Sequence, residues 1–214
     1  MIWLALEFSS DRRSVAVASA STLVETIHQG TVQTPIFKLI GDALDRAGVS
    51  RAQVDAIAVG LGPGSYTGVR LALAVAQGWS LATDVRVTGL SSLECLAVSA
   101  ANSTGPMLLA VDAQRGEFAT ALAEGGRLIE QIQLRTLEQI RQRYAAGTRV
   151  GGPEIARQLT GAFELFPSAS DLVPLAKRHP VFVPVEQLAP IYLREAKFVK
   201  APPPRDLGPS VMDP

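Results

Sequence analysis

One order of elements occurs twice along this chain of 214 residues, and that repetition restricts the fold more than any single motif does. Residues 2–8 are nearly continuously apolar apart from Glu7, residues 14–18 are a second such run, and residues 21–28 alternate; together they predict three strands. Pro35 stands at the first turn of a helix whose apolar stripe is Ile36, Phe37, Leu39, Ile40, Ala43, Leu44 and Ala47, and Gly48 stops it. A buried strand at 55–60, a helix at 69–82, a short strand at 86–89 and a helix at 93–101 follow. Ser91, with Glu94 three residues on, makes a capping-box start for the last of these. After the turn cluster at 102–106 the order begins again. A strand at 107–112 ends in Asp112, a hairpin of 117–123 and 127–133 turns at Gly125-Gly126, and a helix at 136–146 precedes a strand at 148–151. A short helix at 153–159, opened by Pro153, completes the second set. Beyond Phe163 the pattern weakens to a helix at 170–178 and a Pro-rich tail at 201–214.

Strand, strand, strand, helix, strand, helix, twice over, predicts an α/β protein of two duplicated βββαβα lobes. Residues 1–103 make the first, residues 104–200 a reduced second, and 201–214 the tail. Two such lobes related by a pseudo-twofold axis are the actin-like ATPase (ribonuclease H-like) fold. In it the turns at 9–13 and 113–116 face each other across a cleft, and Glu7, Ser9, Ser10, Asp112 and Arg115 outline a vestigial nucleotide site. Acids at strand ends are equally well solvated or capping groups, so their duplicated placement speaks for ancestry rather than for activity.

The stretch 54–84 is the first lobe's centre: strand, glycine-rich turn, helix. The turn 60–68 lacks the Gly-Lys-Ser/Thr ending of a phosphate loop, and its glycines have the wrong onward spacing for a dinucleotide fingerprint. Its better reading is a tight turn that lets a helix pack close on the sheet, with Thr67 as the cap. Only Arg70, Gln77 and Ser80 interrupt the helix that follows, and a helix so apolar cannot lie on one sheet with its back to water. Taken with the stripe at 36–47, its surface exceeds what one sheet face needs. A helix bundle between two chains would bury the excess, and Ile36, Leu39, Ile40, Ala43, Leu71, Val75 and Trp79 are the candidate interface residues.

Several chemistries find no support. Twenty basic and twenty acidic residues leave no net charge, so no electrostatic footprint for nucleic acid stands out. His28, His179 and Cys95 do not form a ligand cluster, which predicts no metal and no cofactor, and Cys95 in an apolar helix reads as core. No Gly-x-Ser-x-Gly elbow surrounds Ser9, Ser10 or Ser65. Arg194, Lys197, Lys200 and Arg205, interleaved with Phe198, read as a solvated terminus rather than an RNA contact. A single cysteine, no secretory signal and no membrane-length apolar stretch predict a cytoplasmic protein without a membrane partner.

Three runs carry a family resemblance: Asp55-Ala-Ile-Ala-Val-Gly-Leu-Gly-Pro-Gly-Ser-Tyr-Thr-Gly-Val-Arg70, Gly89-Leu-Ser-Ser-Leu-Glu94 and Val111-Asp-Ala-Gln-Arg-Gly-Glu117. With Pro190-Ile-Tyr-Leu-Arg194 they make the chain resemble the bacterial TsaB family, also labelled glycoprotease-like, of the actin-like ATPase fold. The resemblance implies a non-catalytic scaffold in the machinery that makes N6-threonylcarbamoyladenosine at position 37 of tRNAs. It further implies pairing with a TsaD-like catalytic subunit, joined by a TsaE-like ATPase, a second copy as partner when alone, and contact with tRNA only through the complex. The family's partner surface, its first two helices, coincides with the over-apolar pair. The catalytic paralogue's histidine motif on the early helix is replaced here by Thr34-Pro35-Ile-Phe-Lys38, and the family's Asp-Thr-Ser after the first strand is Glu7-Phe8-Ser9. The alternative function is an ATPase or small-molecule kinase acting alone through Glu7, Asp112 and the glycine turn.

Overall fold

The computed structural model describes residues 1–30, 35–178 and 180–193. Thr34, His179, Arg194, Lys197, Phe198, Lys200, Arg205 and the Pro-rich tail lie outside the described residues. Strands β1 (Trp3–Glu7), β2 (Arg12–Ala18) and β3 (Leu23–Gln29) form an antiparallel meander, helix α1 (Ile36–Ala47) follows, and β4 (Ala56–Gly60) and β5 (Arg86–Leu90) run parallel to β1. Helices α2 (Tyr66–Ala82) and α3 (Ser92–Ser99) flank β5 in sequence. The sheet order is β3-β2-β1-β4-β5.

The second sheet repeats that plan. Strand β6 (Met107–Asp112) pairs antiparallel with β7 (Glu117–Glu124) and parallel with β10 (Arg149–Gly152), which pairs parallel with β11 (Phe163–Glu164). The expected hairpin return at 127–133 is broken into β8 (Arg127–Leu128) and β9 (Gln133–Thr136), both paired with β7. Helix α4 (Leu137–Ala145) is held by a capping box between Thr136 and Gln139, but the helix expected at 153–159 shrinks to a 3-10 turn, Ile155–Arg157. The reduced second lobe is thus a truncated copy of the first.

Burial explains why the first sheet's strands read as unbroken apolar runs: both faces are covered. Leu4, Leu6, Val15, Val17, Ile57 and Val59 pack beneath α1 and α2. The opposite face is almost all alanine (Ala5, Ala16, Ala18, Ala56 and Ala58, with Trp3), and against it lies helix α5 (Ala169–Arg178) through Ala169, Leu172, Val173 and Ala176. The chain therefore returns from the second sheet to close the first. Polar bonds hold it there: Ser14 Oγ accepts the Ala169 amide at 2.8 Å, and the Glu25 carboxylate accepts the Ser168 hydroxyl at 2.7 Å and the Ser170 amide at 3.2 Å.

Helix caps follow the local sequence. Gly48 adopts the left-handed conformation (φ 65°) that ends α1, as its position predicts. Helix α2 begins at Tyr66, three residues before the expected start, because Ser65 rather than Thr67 is its cap and accepts the Gly68 amide at 3.2 Å. No helix among the described residues is long and apolar enough to cross a membrane.

The small side chains under α5 set the spacing between that helix and the sheet. Ala58→Leu, at a fully buried position on this face, is expected to lower unfolding free energy by about 1–3 kcal/mol. Urea denaturation measures it, and an unchanged midpoint would contradict the close packing.

Candidate functional site

The acid that ends β1 does not face a cleft. Glu7 is completely buried, with the Ser9 amide on Oε1 at 2.8 Å and the Ser92 hydroxyl on Oε2 at 2.9 Å. Ser92 Oγ in turn accepts the Gly62 amide at 3.0 Å, so one carboxylate stitches the end of β1 to the glycine turn and to the start of α3. Burial pushes the Glu7 carboxyl above its ordinary range, against the lowering effect of the Ser9 and Ser92 bonds. Gly60 leaves the room for it: a Cβ there would stand 2.0 Å from Glu7 Oε2.

The remaining glycines of the turn serve the same close packing. A Cβ on Gly64 would meet the Ser9 carbonyl at 2.2 Å, and one on Gly68 would meet the Phe8 carbonyl at 1.9 Å. The Ser65 amide donates to that Ser9 carbonyl at 2.6 Å. The turn is what its spacing predicted, a device that brings the N-terminus of α2 down onto the β1–β2 connection. Ser9 and Ser10 are buried, and Ser10 Oγ is engaged by the backbone of Arg12.

Asp112, at the matching place in the second sheet, is half-buried and accepts the Gln114 amide on Oδ1 at 2.7 Å, an Asx-type turn. Arg115 is exposed on that turn. Of the five cleft residues expected from the sequence, Glu7, Ser9 and Ser10 are therefore sealed within the first lobe, whereas Asp112 and Arg115 belong to the surface of the second. The burial of Glu7 beneath Gly60 corrects the expected facing pair.

One contact between the two lobes was not foreseen. Arg157 donates to Asp11 Oδ2 at 2.7 Å, an ion pair between the β1–β2 connection and the 3-10 turn after β10. Beside it, Glu154 is raised to about 7, by burial first and then by the nearby charges of Asp112 and Asp11. No sequence spacing relates residues 11, 112, 154 and 157; only the fold does. Between the lobes a cleft of about 730 Å³ is walled by the glycine turn, the 113–115 turn and residues 190–193.

A second concavity, of about 510 Å³, lies between α1 and α2. Here the expected interface residues divide. Ile36, Leu39, Ile40 and Ala43 are buried in the chain's own core, because the stripe at helical spacing is the one that covers the sheet, and of these only Ile36 and Ile40 also reach the groove wall. Leu71, Val75 and Trp79 are half-buried and line the groove. Its outward surface is instead Phe37, 72% exposed, with Ala74 and Gly78, and Leu81 nearby is 85% exposed. The signal for these was available: 74, 78 and 81 recur at helical spacing on the side of α2 away from Ala72 and Ala76.

Comparison with known proteins adds a family. The profile described as "TsaD: tRNA N6-adenosine threonylcarbamoyltransferase" matches residues 31–172. The chain is 29% identical over 182 residues to the Escherichia coli (strain K12) "tRNA threonylcarbamoyladenosine biosynthesis protein TsaB", covering 74% of this chain and 79% of that one. It is 35% identical over 118 residues to the Haemophilus influenzae protein of the same description, covering 53% and 50% respectively. Among solved structures, "YeaZ from Pseudomonas aeruginosa" superposes with a TM-score of 0.75 at 29% identity, over 90% of this chain and 99% of that one.

Glu154 gives the interlobe contact a pH dependence. Its folded value lies above that of an ordinary glutamate, so the folded chain holds a proton that the unfolded chain has lost between about pH 4.5 and pH 7. Stability contributed by the protonated form is present at the acid end and lost as pH rises through 7. Denaturation of the wild type and Glu154→Gln from about pH 5 to 8 should show the wild type losing more, by on the order of 3 kcal/mol at most; parallel curves would contradict the assignment.

Proposed function

The chain belongs to the family of TsaD, the tRNA N6-adenosine threonylcarbamoyltransferase, within its TsaB group, and on that premise we propose that it serves tRNA threonylcarbamoyladenosine biosynthesis as a non-catalytic scaffold subunit. Its partner is a TsaD-like catalytic subunit, and the contact surface is the groove between α1 and α2. The observation that carries this reading is the groove itself: Phe37, Leu71, Ala74, Val75, Gly78 and Trp79 present an apolar concavity on a chain whose sheets are otherwise covered by its own helices. Apolar surface of this kind is a docking site far more often than a solvated face. Phe37 and Trp79 supply aromatic anchors, while Ala74 and Gly78 allow a partner helix to approach the α2 backbone closely.

A non-catalytic role is supported by the burial of Glu7, Ser9 and Ser10, which takes three of the five residues of the expected nucleotide cleft, among them the acid an independent ATPase or kinase would use, out of reach of a ligand. A TsaE-like ATPase would then join the assembled pair, and tRNA would be recruited by the complex. When the TsaD-like subunit is absent, a second copy of this chain can cover the same groove.

Because Leu71 and Val75 also contact the core, exposed groove residues make the cleaner test. Ala74→Glu and Phe37→Asp should leave the thermal midpoint of the chain nearly unchanged. Each should weaken association with the TsaD-like subunit by about 30-fold or more, as expected for a hot spot of about 2 kcal/mol. Calorimetric titration reads this, and undiminished affinity in both variants would overturn the groove as the contact.

A further inference from the structure

We propose that the cleft between the two lobes' turns binds one unpaired nucleotide of an RNA single strand, its base stacked at Tyr66 and Tyr192 and its phosphate held by Arg115. The choice of RNA rests on the functional reading above; the site itself rests on geometry. Tyr66 opens α2, and Tyr192 follows the 3-10 turn Val185–Gln187; their ring centroids are 6.2 Å apart with planes at 39°. Both tyrosines are open to water although they line a concavity, at 54% and 60% exposure. The Arg70 guanidinium sits over the Tyr66 ring, 5.0 Å from its centroid. Such an exposed aromatic pair with a cation alongside is a stacking surface for any base, because every base has a π face.

The opposite wall is the second lobe's turn. Gln114 and Arg115 have φ of 67° and 60°, two successive non-glycine residues in the left-handed region. That conformation is costly for residues with a Cβ, and its effect here is to raise an arginine at the rim of the cleft. Among the described residues Arg115 has no ion-pair partner. Between the two walls Leu61, Val69, Leu134 and Ile191 form an apolar floor.

The same geometry argues against a nucleoside di- or triphosphate. A polyphosphate cradle needs free backbone amides, yet those of Leu61, Gly62 and Ser65 donate to Leu90, Ser92 and Ser9. Glu7 is buried beneath Gly60 and cannot reach a phosphate-bound cation. What remains is stacking area, the Arg115 and Arg70 guanidiniums and the open first turn of α2, which suit a base and a single phosphate of an unpaired strand. This recognition does not conflict with a chain of zero net charge, since stacking rather than a basic patch supplies the affinity.

The test is fluorescence anisotropy with a short labelled oligoribonucleotide of unstructured sequence, titrated with the full chain alone and with its complex with the TsaD-like subunit. Tyr66→Ala and Tyr192→Ala should each weaken binding about tenfold or more, Tyr66→Phe should retain it, and Arg115→Ala should lower both the affinity and the salt dependence, the latter by about one ion. Absence of binding in both settings, or equal affinities across the variants, overturns the proposal. So does displacement of the oligonucleotide by ADP or ATP, which would assign the cleft to a free nucleotide. The substituted residues lie outside the α1–α2 groove, so a failure of the scaffold reading would show instead as lost pairing with RNA binding intact.

Discussion

The buried Glu7 carboxylate is the interaction on which the first lobe depends. A carboxylate can leave water only if its oxygens are bonded, and here the Ser9 amide and the Ser92 hydroxyl do so from opposite sides. Ser92 also receives the Gly62 amide, and Gly60, Gly64 and Gly68 each stand where a side chain would collide with the same small region. The glycine-rich turn is thus explained without a phosphate. It folds around an internal acid and delivers α2 to the sheet at close range.

From that placement the surface of the first lobe follows. With Val69, Ala72, Leu73 and Ala76 turned to the core, α2 presents Ala74, Gly78 and Leu81 outward. Helix α1 spends Ile36, Leu39, Ile40 and Ala43 on the sheet and leaves Phe37 outside. The groove between them is the residue of a core that is already complete, which is why it can be offered to another chain without unfolding this one. The second lobe has no such knot. Its acid, Asp112, stays half-buried in a local turn, and its contribution to the molecule lies at the cleft, through Arg115 and through the Arg157–Asp11 contact.

Much of this was legible in the sequence, and the part that was not has a physical reason. The duplication was visible because strands covered on both faces leave unbroken apolar runs, and the Gly48 stop and the packing role of the glycine turn are local rules that the fold obeys. The role of Glu7 was not visible, since its partner Ser92 lies 85 residues away and burial of an acid leaves no pattern in its neighbours. The stripe of α1 was read correctly as apolar, but most of it covers the chain's own sheet, because periodicity identifies a buried face without saying what buries it. The return of α5 onto the alanine face of the first sheet is likewise a tertiary fact: its partners in β1, β2 and β4 lie more than a hundred residues earlier. Family resemblance supplied the function class; geometry added Phe37, Ala74 and Gly78 to the residues that line the groove.

The central claim is that the outer faces of α1 and α2 carry the partner contact, and hydrogen–deuterium exchange of the chain with and without the TsaD-like subunit tests it most directly. The account predicts new protection concentrated in Ile36–Ala47 and Tyr66–Ala82, with the exchange of β1 and β4 unaltered. Complex formation with no added protection in either helix, and with protection elsewhere on the chain, would contradict it.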